Sequence, residues 1–410
     1  MNKTKYILIQ LNVVMLLLGY WLMHSTLSFV SGESSRTASI VFDGVQLALS
    51  IYIIAACHKD FAIEKCKSLL SVLSITLILY ALRMVLDIYI GPFSDTLPKS
   101  QMWNDVLLTV GAYFFPIWAI ISSRKHIDIQ TVTKWIFAVG TITCIFVMMN
   151  ISMQGISYEE GRVEAGQGLS TLSLAKLGSI EVIAAIHMLM NSKGRRIWVY
   201  ALGLILGCFV ALASGSRGGV VGFVVAFGVY LVMSARQKPF LMAVGITVVI
   251  LFAINIVQIL EWLGGYFPIF SNRMLATIVE GDTSEREDYF QKAIQYIGEN
   301  PLTGFGYRVN ADLTGYQPHN GILEIFLCFG IPLGIIFTYY IYIRSAIYSF
   351  VMMNDKRFVF VSLICIFSLA SSMSGSSISS NVFDWSIALT GIAYYYHYNN
   401  ERNRRKIDSY

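Results

Sequence analysis

Long apolar runs are the feature that most limits how this chain can fold. About twelve of them, each near the ~20 residues that carry a helix across the hydrocarbon of a bilayer, recur along the 410 residues. Their approximate ranges are 6–24, 38–57, 68–90, 104–121, 135–151, 171–190, 197–213, 219–234, 240–259, 321–343, 358–375 and 384–398. An isolated strand in lipid would leave its backbone polar groups without partners. The sequence therefore predicts an all-α polytopic membrane protein with about 12 transmembrane helices, forming one membrane domain over 1–410.

The composition excludes a soluble enzyme and a large extramembrane domain. The chain is 55% hydrophobic and only 13% charged, whereas globular proteins carry about 25% charged residues. About twelve spans of ~20 residues leave roughly 170 residues for all connections. The net charge of +5 does not indicate nucleic-acid binding, because excess Lys and Arg in a membrane protein usually mark the cytoplasmic side.

The distribution of Lys and Arg predicts the orientation. With the N-terminus in the cytoplasm, 20 of the 30 cations fall at cytoplasmic positions, 8 at outer positions and 2 within spans. Both termini are therefore expected in the cytoplasm. The connection at 260–320 becomes a long outer loop. All six cysteines fall within spans or on the cytoplasmic side, so no disulfide is implied.

Charged residues inside the predicted spans lie mostly toward the outer side. Such residues are costly in lipid and usually face a cavity or a partner. Eight are present: Asp43, Arg83, Asp87, Asp105, Lys176, Glu181, Glu324 and Asp384. Seven lie in the outer half, and Glu181 lies near mid-depth. Snorkelling side chains and a structural Arg83–Asp87 pair could account for single cases, but the one-sided distribution favours a polar cavity open to the outside.

Two arginines stand in positions suited to an anion. Arg217 lies in a Ser-Gly-Ser-Arg-Gly-Gly segment between two spans, where its planar fork of donors suits a phosphate. The alternative is a plain tight turn with an interfacial Arg. In the long loop, Ser284 begins a capping-box pattern that predicts a short amphipathic helix. Arg286 is unfavourable at the positive start of a helix, which hints at an anionic ligand, although the neighbouring acids could equally pair with it.

The apolar face of this loop helix is predicted to contain Phe290, Ala293, Ile294 and Ile297. Asn300-Pro301 ends the helix, and Gly304 and Gly306 provide a turn. The next span then begins near His319, one of two histidines on the outer side. Asn320 and Glu324 are four residues apart and are expected on one helix face.

The absence of characteristic motifs argues against several enzyme classes. The sequence contains no P-loop, no dinucleotide fingerprint, no HExxH zinc motif, no CxxC pair and no nucleophile elbow. It also lacks an Asp-x-Asp pattern for metal-held nucleotide sugars; the nearest approach, Glu280-Gly281-Asp282, is interpreted as a turn. An ATP-driven or nucleotide-sugar-using enzyme is therefore not expected.

An ordered set of motifs in the chain resembles those of the O-antigen ligase/polymerase superfamily of bacterial polysaccharide assembly. This superfamily includes the repeat-unit polymerases of O-antigen and capsule. The set reads ALASGSRGG at 211–219, ER at 285–286, NPLTGFGY at 300–307, HNGILE at 319–324 and GIPLG at 330–334. It covers about 211–335, and the rest of the chain agrees in topology alone.

The resemblance implies a GT-C-type membrane glycosyltransferase of the bacterial inner membrane with a periplasmic active site. Its substrates would be undecaprenyl-pyrophosphate-linked glycans, as donor and as acceptor, with no metal and no cofactor. Arg217 and Arg286 would hold the donor pyrophosphate, His319 would be the catalytic group, and Glu324 would be an alternative base or would orient His319. Arg162 resembles a further family arginine, although the Asn-containing stretch that usually follows it is not clear here. Asn320, Gly304 and Gly306 would support the site.

Three functions remain open. The preferred one is a polymerase that transfers a lipid-linked glycan to the non-reducing end of the next lipid-linked repeat in lipopolysaccharide or other surface-polysaccharide biosynthesis. A ligase that transfers the glycan to lipid A–core would use the same donor chemistry. A flippase or transporter is the alternative from another class, but such proteins usually show repeated halves, and no repeat is evident here. Membrane lipid and a chain-length regulator are further candidate partners, and no nucleic acid is expected.

Overall fold

The computed structural model describes residues 3–31, 36–62, 67–90, 98–154, 169–234, 239–281, 286–306 and 320–375, together with 391, 395, 398 and 399. These residues form helices and short turns, and the described part of the chain contains no strand. The prediction of an all-α polytopic membrane protein is confirmed.

We number the helices in chain order. Three of them contain a π-helical segment: α1 joins Lys3–Val14, Met15–Gly19 and Tyr20–Ser31; α4 joins Lys99–Leu108, Thr109–Phe114 and Phe115–Ser123; α13 joins Gly321–Thr338, Tyr339–Arg344 and Ser345–Met352. The others are α2 Arg36–Ala62, α3 Lys67–Ile90, α5 Ile129–Gln154, α6 Thr171–Met190, α7 Arg196–Ala213, α8 Arg217–Ser234, α9 Pro239–Ile254, α10 Ile256–Gly264, α11 Pro268–Val279, α12 Arg286–Glu299 and α14 Val359–Gly375.

Each of the first eleven predicted apolar runs is helical, with the run at 240–259 divided between α9 and α10, and the run at 384–398 lies mostly outside the described residues. Within the described chain, seven helices are long and apolar enough to cross a membrane, or eight if a bent pair counts as one span. Two shorter apolar helices are also present, at Arg217–Met233 and Val359–Met373. A total of 12 spans stays a prediction, as do the single domain over 1–410 and the GT-C class.

The run predicted at 240–259 is bent, because the chain turns by 72° between α9 and α10. Asn255 lies at the bend with φ −104° and ψ 16°. Its side-chain Nδ2 donates to the carbonyl of Leu251 at 2.8 Å. The backbone N–H of Asn255 donates to the same carbonyl at 3.2 Å, so the helical hydrogen bonding of α9 continues up to Asn255 and the bend lies at that residue.

Helices α6, α7 and α8 approach one another closely through small residues. A Cβ atom on Gly178 would lie 2.5 Å from the backbone nitrogen of Ala211, and one on Gly219 would lie 2.6 Å from the Cβ of Ala175. Small residues at helix crossings allow the backbone contact on which association in lipid depends. This packing fixes the start of α8, and therefore the position of Arg217, relative to the bundle.

The beginnings of α8 and α13 lie at the same end of the bundle. Tyr230 and Met233 near the end of α8 line the same cavity as Val359 and Leu363 at the start of α14, so these two helices are antiparallel. Helix α14 follows the end of α13 after a six-residue connection and packs against its last segment. We call the end with the start of α8 the arginine end.

At the opposite end, Asp128 ties the first helix to the connection between α4 and α5. Its carboxylate accepts hydrogen bonds from the hydroxyls of Tyr6 at 2.9 Å and Thr131 at 2.7 Å. Its backbone N–H donates to Gln10 on α1 at 3.0 Å. Burial raises the pKa of Asp128, but the hydrogen bonds from Thr131 and Tyr6 outweigh it and leave that pKa below its ordinary value.

We expect this contact to make stability sensitive to acid. A carboxyl whose pKa is depressed on folding stabilises the protein above its unfolded-state pKa, about 4, and loses that contribution as the pH falls through the folded value. Thermal unfolding of the purified protein in detergent should therefore show a smaller loss of Tm below pH 4 for Asp128→Asn than for the wild type. Equal acid sensitivity in both proteins would contradict the assignment.

Candidate functional site

Arg217 is the first residue of α8, directly after a tight turn. Gly215 in that turn has φ +64°, a conformation that glycine adopts without steric cost. The Ser214 hydroxyl accepts from the backbone N–H of Ser216 at 3.2 Å, which closes the turn. The tight turn that the sequence allowed is therefore present, and it delivers Arg217 to the arginine end, where the α8 backbone begins.

A second arginine, Arg273 on α11, lies against the same turn. The Arg217 Nη1 donates to the backbone carbonyl of Arg273 at 3.3 Å and to the hydroxyl of Thr277. In return, the Arg273 Nη1 donates to the carbonyl of Gly215 at 3.2 Å. We call this reciprocal arrangement the arginine junction. Sequence reasoning placed Arg273 on the outer side but gave it no role, because no motif marks it.

Helices α10 and α11 form a short hairpin that carries Arg273. The Ser271 hydroxyl donates to the carbonyl of Leu260 at 2.5 Å, which fastens the two helices together. Trp262 and Tyr266 are exposed at the tip, with ring centroids 5.4 Å apart. Exposed Trp and Tyr are typical of the headgroup level of a bilayer. The connection predicted at 260–320 thus contains much of this hairpin as well as the predicted loop helix.

The predicted loop helix is present as α12, Arg286–Glu299, and its proposed start at Ser284 lies outside the described residues. Ala293 is fully buried, and Phe290 and Ile297 are half-buried, as the pattern predicts. Ile294 is 59% exposed, so this part of the predicted apolar face is not packed against the described part of the protein and is open to the membrane. The packed face turns toward Tyr296 instead, whose ring meets that of Phe305 at 5.9 Å.

The span predicted from 321 is a broken helix. Gly330 has φ +72° and ψ 179°, and Pro332 follows two residues later. The break removes the backbone hydrogen bond that Ile331 would give to the carbonyl of Leu327, and proline has no N–H to give to the carbonyl of Cys328. Two carbonyls in the middle of an apolar helix therefore need other donors.

The segment that follows α12 supplies those donors. The backbone N–H groups of Phe305 and Gly306 donate to the carbonyls of Leu327 and Cys328 at 2.9 and 3.0 Å. Ile331 donates in turn to the carbonyl of Pro301 at 2.6 Å. The segments 301–306 and 327–331 thus complete each other's hydrogen bonding.

Glycine is required at this contact because backbone meets backbone. Gly304 and Gly306 have φ +65° and +98°. A Cβ atom on Gly304 would lie 2.5 Å from the backbone nitrogen of Gly330, and one on Gly306 would lie 2.9 Å from the carboxylate of Asp87. These two glycines therefore allow the 300–306 segment to pack closely against α13 and α3.

The Arg83–Asp87 pair on α3 holds the same segment from the other side. Arg83 Nε lies 2.9 Å from Asp87 Oδ1, and Arg83 Nη1 donates to the carbonyl of Thr303 at 2.8 Å. Asp87 is 5% exposed and lies against Gly306. The predicted pairing within α3 is therefore present, and it anchors the 300–306 segment to the bundle.

Asn320 and Glu324 lie at the start of α13. The Asn320 Oδ1 accepts from the backbone N–H groups of Ile322 and Leu323, both at 3.1 Å, so Asn320 is the N-cap of α13. Glu324 is fully buried one turn later. A carboxylate in the first turn also complements the positive end of the helix. The capping role of Asn320 explains why the span starts at this residue.

The remaining predicted site residues are described only in part. The backbone of Arg286 is the first residue of α12, and its side chain lies outside the described part of the structure. His319 and Arg162 also lie outside the described residues. Of the predicted set, the structure thus locates Arg217, Gly304, Gly306, Asn320 and Glu324 in full. The roles of all eight stay predictions.

Two buried features belong to other parts of the bundle. Glu181 is fully buried and accepts a hydrogen bond of 2.6 Å from Thr141, in a niche where Cβ atoms on Gly140 or Gly203 would collide with its carboxyl group. A cavity of about 150 Å³, lined by His187, Tyr230 and others, lies where α6 and α8 end. Because this is the end opposite the arginine junction, it is not the outer polar cavity that the charge distribution predicts.

The described residues contain no group of three or more His, Cys, Asp or Glu side chains arranged to hold a metal ion. The predicted absence of a metal and a cofactor stays a prediction.

The helices and the site together define a multi-pass, all-α membrane protein with paired arginines at one end of its bundle. Residues 201–338 match a family model described as O-Antigen ligase. The resemblance to the O-antigen ligase/polymerase superfamily is thereby confirmed over this region. No curated protein matches the chain.

The matched region contains every described residue of the candidate site except Arg83 and Asp87. It runs from within α7 to the end of the first segment of α13. The match supports a ligase- or polymerase-type membrane glycosyltransferase in polysaccharide biosynthesis, with lipid-linked glycans as its class of substrate.

Proposed function

We propose that the protein is a polymerase that joins undecaprenyl-pyrophosphate-linked repeat units at the periplasmic face of the bacterial inner membrane. The observation that carries this proposal is the arginine junction, which lies within the matched region and at the same end of the bundle as the start of α13. Both termini would lie in the cytoplasm, as the distribution of Lys and Arg predicts.

In the proposed reaction, the bond between the donor sugar C1 and the pyrophosphate oxygen breaks, and that oxygen keeps the electron pair. A hydroxyl oxygen of the acceptor sugar forms the new bond to C1 and gives its proton to His319, with Glu324 as the alternative acceptor. A neutral imidazole can take a proton near pH 7. The leaving group gains negative charge, and fixed guanidinium groups stabilise it with little reorganisation.

The ligase is the second candidate, because the matching family model is described as O-Antigen ligase. It would use the same donor and the same arginines and differ in the acceptor. Lipid A–core would replace the lipid-linked repeat.

These functions can be tested by incubating purified protein in vesicles with one defined undecaprenyl-pyrophosphate-linked repeat, in the absence of nucleotide and metal. A ladder of lipid-linked oligomers is expected from the polymerase. If only added lipid A–core becomes glycosylated, the ligase reading replaces it. If neither product forms and the intact lipid-linked repeat instead crosses the bilayer, the transporter alternative is supported and the enzyme proposal fails.

A deletion strain gives an independent readout. Loss of a polymerase leaves lipid A–core capped with a single repeat, whereas loss of a ligase leaves bare core. Gel electrophoresis of the lipopolysaccharide distinguishes the two, and complementation with the intact chain restores the original pattern.

A further inference from the structure

The cavity at the end opposite the arginine end is formed where four helices meet. The last turns of α6 and α8, the turn after α13 and the start of α14 line it, with His187, Tyr230, Met353 and Val359 among the lining residues. We call it the Lys356 cavity, after the only lysine or arginine in its described lining. Its volume of about 150 Å³ corresponds to roughly five water molecules, so it can hold a phosphate and a few carbon atoms but not a whole lipid.

Lys356 lies on a hydrogen-bonded turn between α13 and α14. The backbone N–H of Asp355 donates to the carbonyl of Met352 at 3.0 Å, and that of Phe358 donates to the carbonyl of Asp355 at 2.9 Å. The Asp355 carboxylate accepts from the guanidinium of Arg357 at 2.8 and 3.1 Å. Lys356 itself is exposed, so its ammonium group can meet a ligand that enters from the membrane surface.

The lining of the cavity combines hydrogen-bond donors with apolar groups. The Tyr230 hydroxyl donates to the thioether sulfur of Met190 at 3.5 Å, and a phosphate oxygen would be a stronger acceptor than that sulfur. The Asn191 Nδ2 donates to the carbonyl of His187 at 2.8 Å, which fixes the amide at the end of α6. No acidic side chain belongs to the lining that the described residues form. A lysine and neutral donors without a carboxylate favour an anionic ligand.

The position of the cavity favours a lipid over a soluble anion. Trp198, on the first turn of α7, is 78% exposed, and Phe240, at the start of α9, is 81% exposed. These helices begin a few residues after α6 and α8 end, so both rings lie near the same end of the bundle as the cavity. Exposed Trp is typical of the headgroup level of a bilayer. Most of the lining residues, including Met233 and Leu363, are apolar and suit the carbon atoms next to a headgroup phosphate.

We propose that the Lys356 cavity binds the headgroup phosphate of an anionic phospholipid, with Lys356 and Tyr230 as phosphate-binding residues. Basic pockets between transmembrane helices are a recurrent type of site for anionic headgroups. The acyl chains would lie outside the cavity, in the hydrocarbon. A bound lipid would then hold the turn between α13 and α14 against the ends of α6 and α8. This inference goes beyond the proposed function and does not depend on it, because neither residue lies at the arginine end.

The test uses the purified full-length protein in detergent, with bound lipid counted by native mass spectrometry. The probe is dioctanoyl phosphatidylglycerol, a short-chain anionic phospholipid. Dioctanoyl phosphatidylcholine has the same chains and phosphate but no net charge, and inorganic phosphate tests whether a free anion is sufficient. Lys356→Gln removes the cation, and Tyr230→Phe removes only the hydroxyl. Lys193→Gln is the matched control, since Lys193 is exposed in the connection after α6 and is not a lining residue.

We expect Lys356→Gln to weaken phosphatidylglycerol binding about fivefold, the effect of one lysine on an anionic headgroup. Tyr230→Phe should weaken it by a similar factor, through the loss of one hydrogen bond. Lys193→Gln should bind as the wild type does. Phosphatidylglycerol should also raise the Tm of the wild type, because it binds the folded protein, and this shift should be smaller in Lys356→Gln.

Several results would overturn the proposal. Unchanged phosphatidylglycerol binding in Lys356→Gln, or equal binding of phosphatidylglycerol and phosphatidylcholine by the wild type, would exclude recognition of the charge. Displacement of phosphatidylglycerol by an equal concentration of inorganic phosphate would assign the cavity to a free anion. Because Lys356 is exposed, Lys356→Gln should melt at the wild-type temperature without lipid, and Tyr230→Phe provides a second variant. Glycan transfer does not enter these measurements, so this proposal and the proposed function can fail separately.

Discussion

Replacement of His319 or Arg286 by alanine is expected to abolish glycan transfer while leaving the amount of protein in the membrane unchanged. In the sequence His319 directly precedes Asn320, the N-cap of α13, and the backbone of Arg286 begins α12. A positioned general base contributes about 10²–10⁴-fold, and a preorganised charge at the leaving group contributes a similar factor. Transfer by purified variants, measured with the lipid-linked repeat, should fall by at least about 100-fold.

Matched variants distinguish chemistry from structure. Lys292→Ala removes an exposed cation from α12, the same helix as Arg286, and should transfer glycan normally. His319→Gln can still form hydrogen bonds but cannot carry a proton, so it should be as inactive as the alanine variant. Wild-type chain length in His319→Ala or Arg286→Ala would remove that residue from the reaction.

Gly304→Ala is expected to have the largest structural effect. The new Cβ would lie 2.5 Å from the backbone nitrogen of Gly330, and the residue would keep a φ of +65° that an L side chain rarely adopts. Backbone cannot move aside as a side chain can, so the 300–306 segment would separate from α13. We expect a loss of at least about 2 kcal/mol in unfolding free energy, seen as a lower Tm in detergent together with loss of glycan transfer.

Gly298→Ala provides the comparison within the same part of the chain. Gly298 lies on α12, and a Cβ there would meet nothing within 4 Å. Alanine is the better helix former, so this variant should be as stable as the wild type or slightly more stable. If Gly304→Ala and Gly298→Ala behave alike, the close backbone contact does not hold the segment in place.

The helices could be predicted because lipid imposes a simple length and polarity rule on each span. The eleven apolar runs that fall on helices follow it, and so does the amphipathic pattern of α12. The bend at Asn255 and the break at Gly330 could not be predicted from hydropathy, because both residues sit within runs that remain apolar. They depend on local backbone bonding, which a hydropathy pattern does not contain.

The candidate site was predictable only where a motif marked it. Arg217 lies in a glycine-rich turn, and Asn320 begins an apolar run, so the sequence marked both as candidate site residues. Arg273 lies in an ordinary helical stretch, and its relation to Gly215 arises from the folding of the α10–α11 hairpin onto α8. The exposed Trp262 and Tyr266 were the signal that could have placed this hairpin at the membrane surface.

The break at Gly330 and the N-cap at Asn320 attach the chain to α13 at two points. Gly306 is bonded to Cys328, and Asn320 caps the same helix eight residues earlier, about 12 Å away along its axis. Gly306 and Asn320 are therefore held at two fixed points of the same helix. Because the helix between these two points is unbroken, any movement of this part of α13 would displace both of them together.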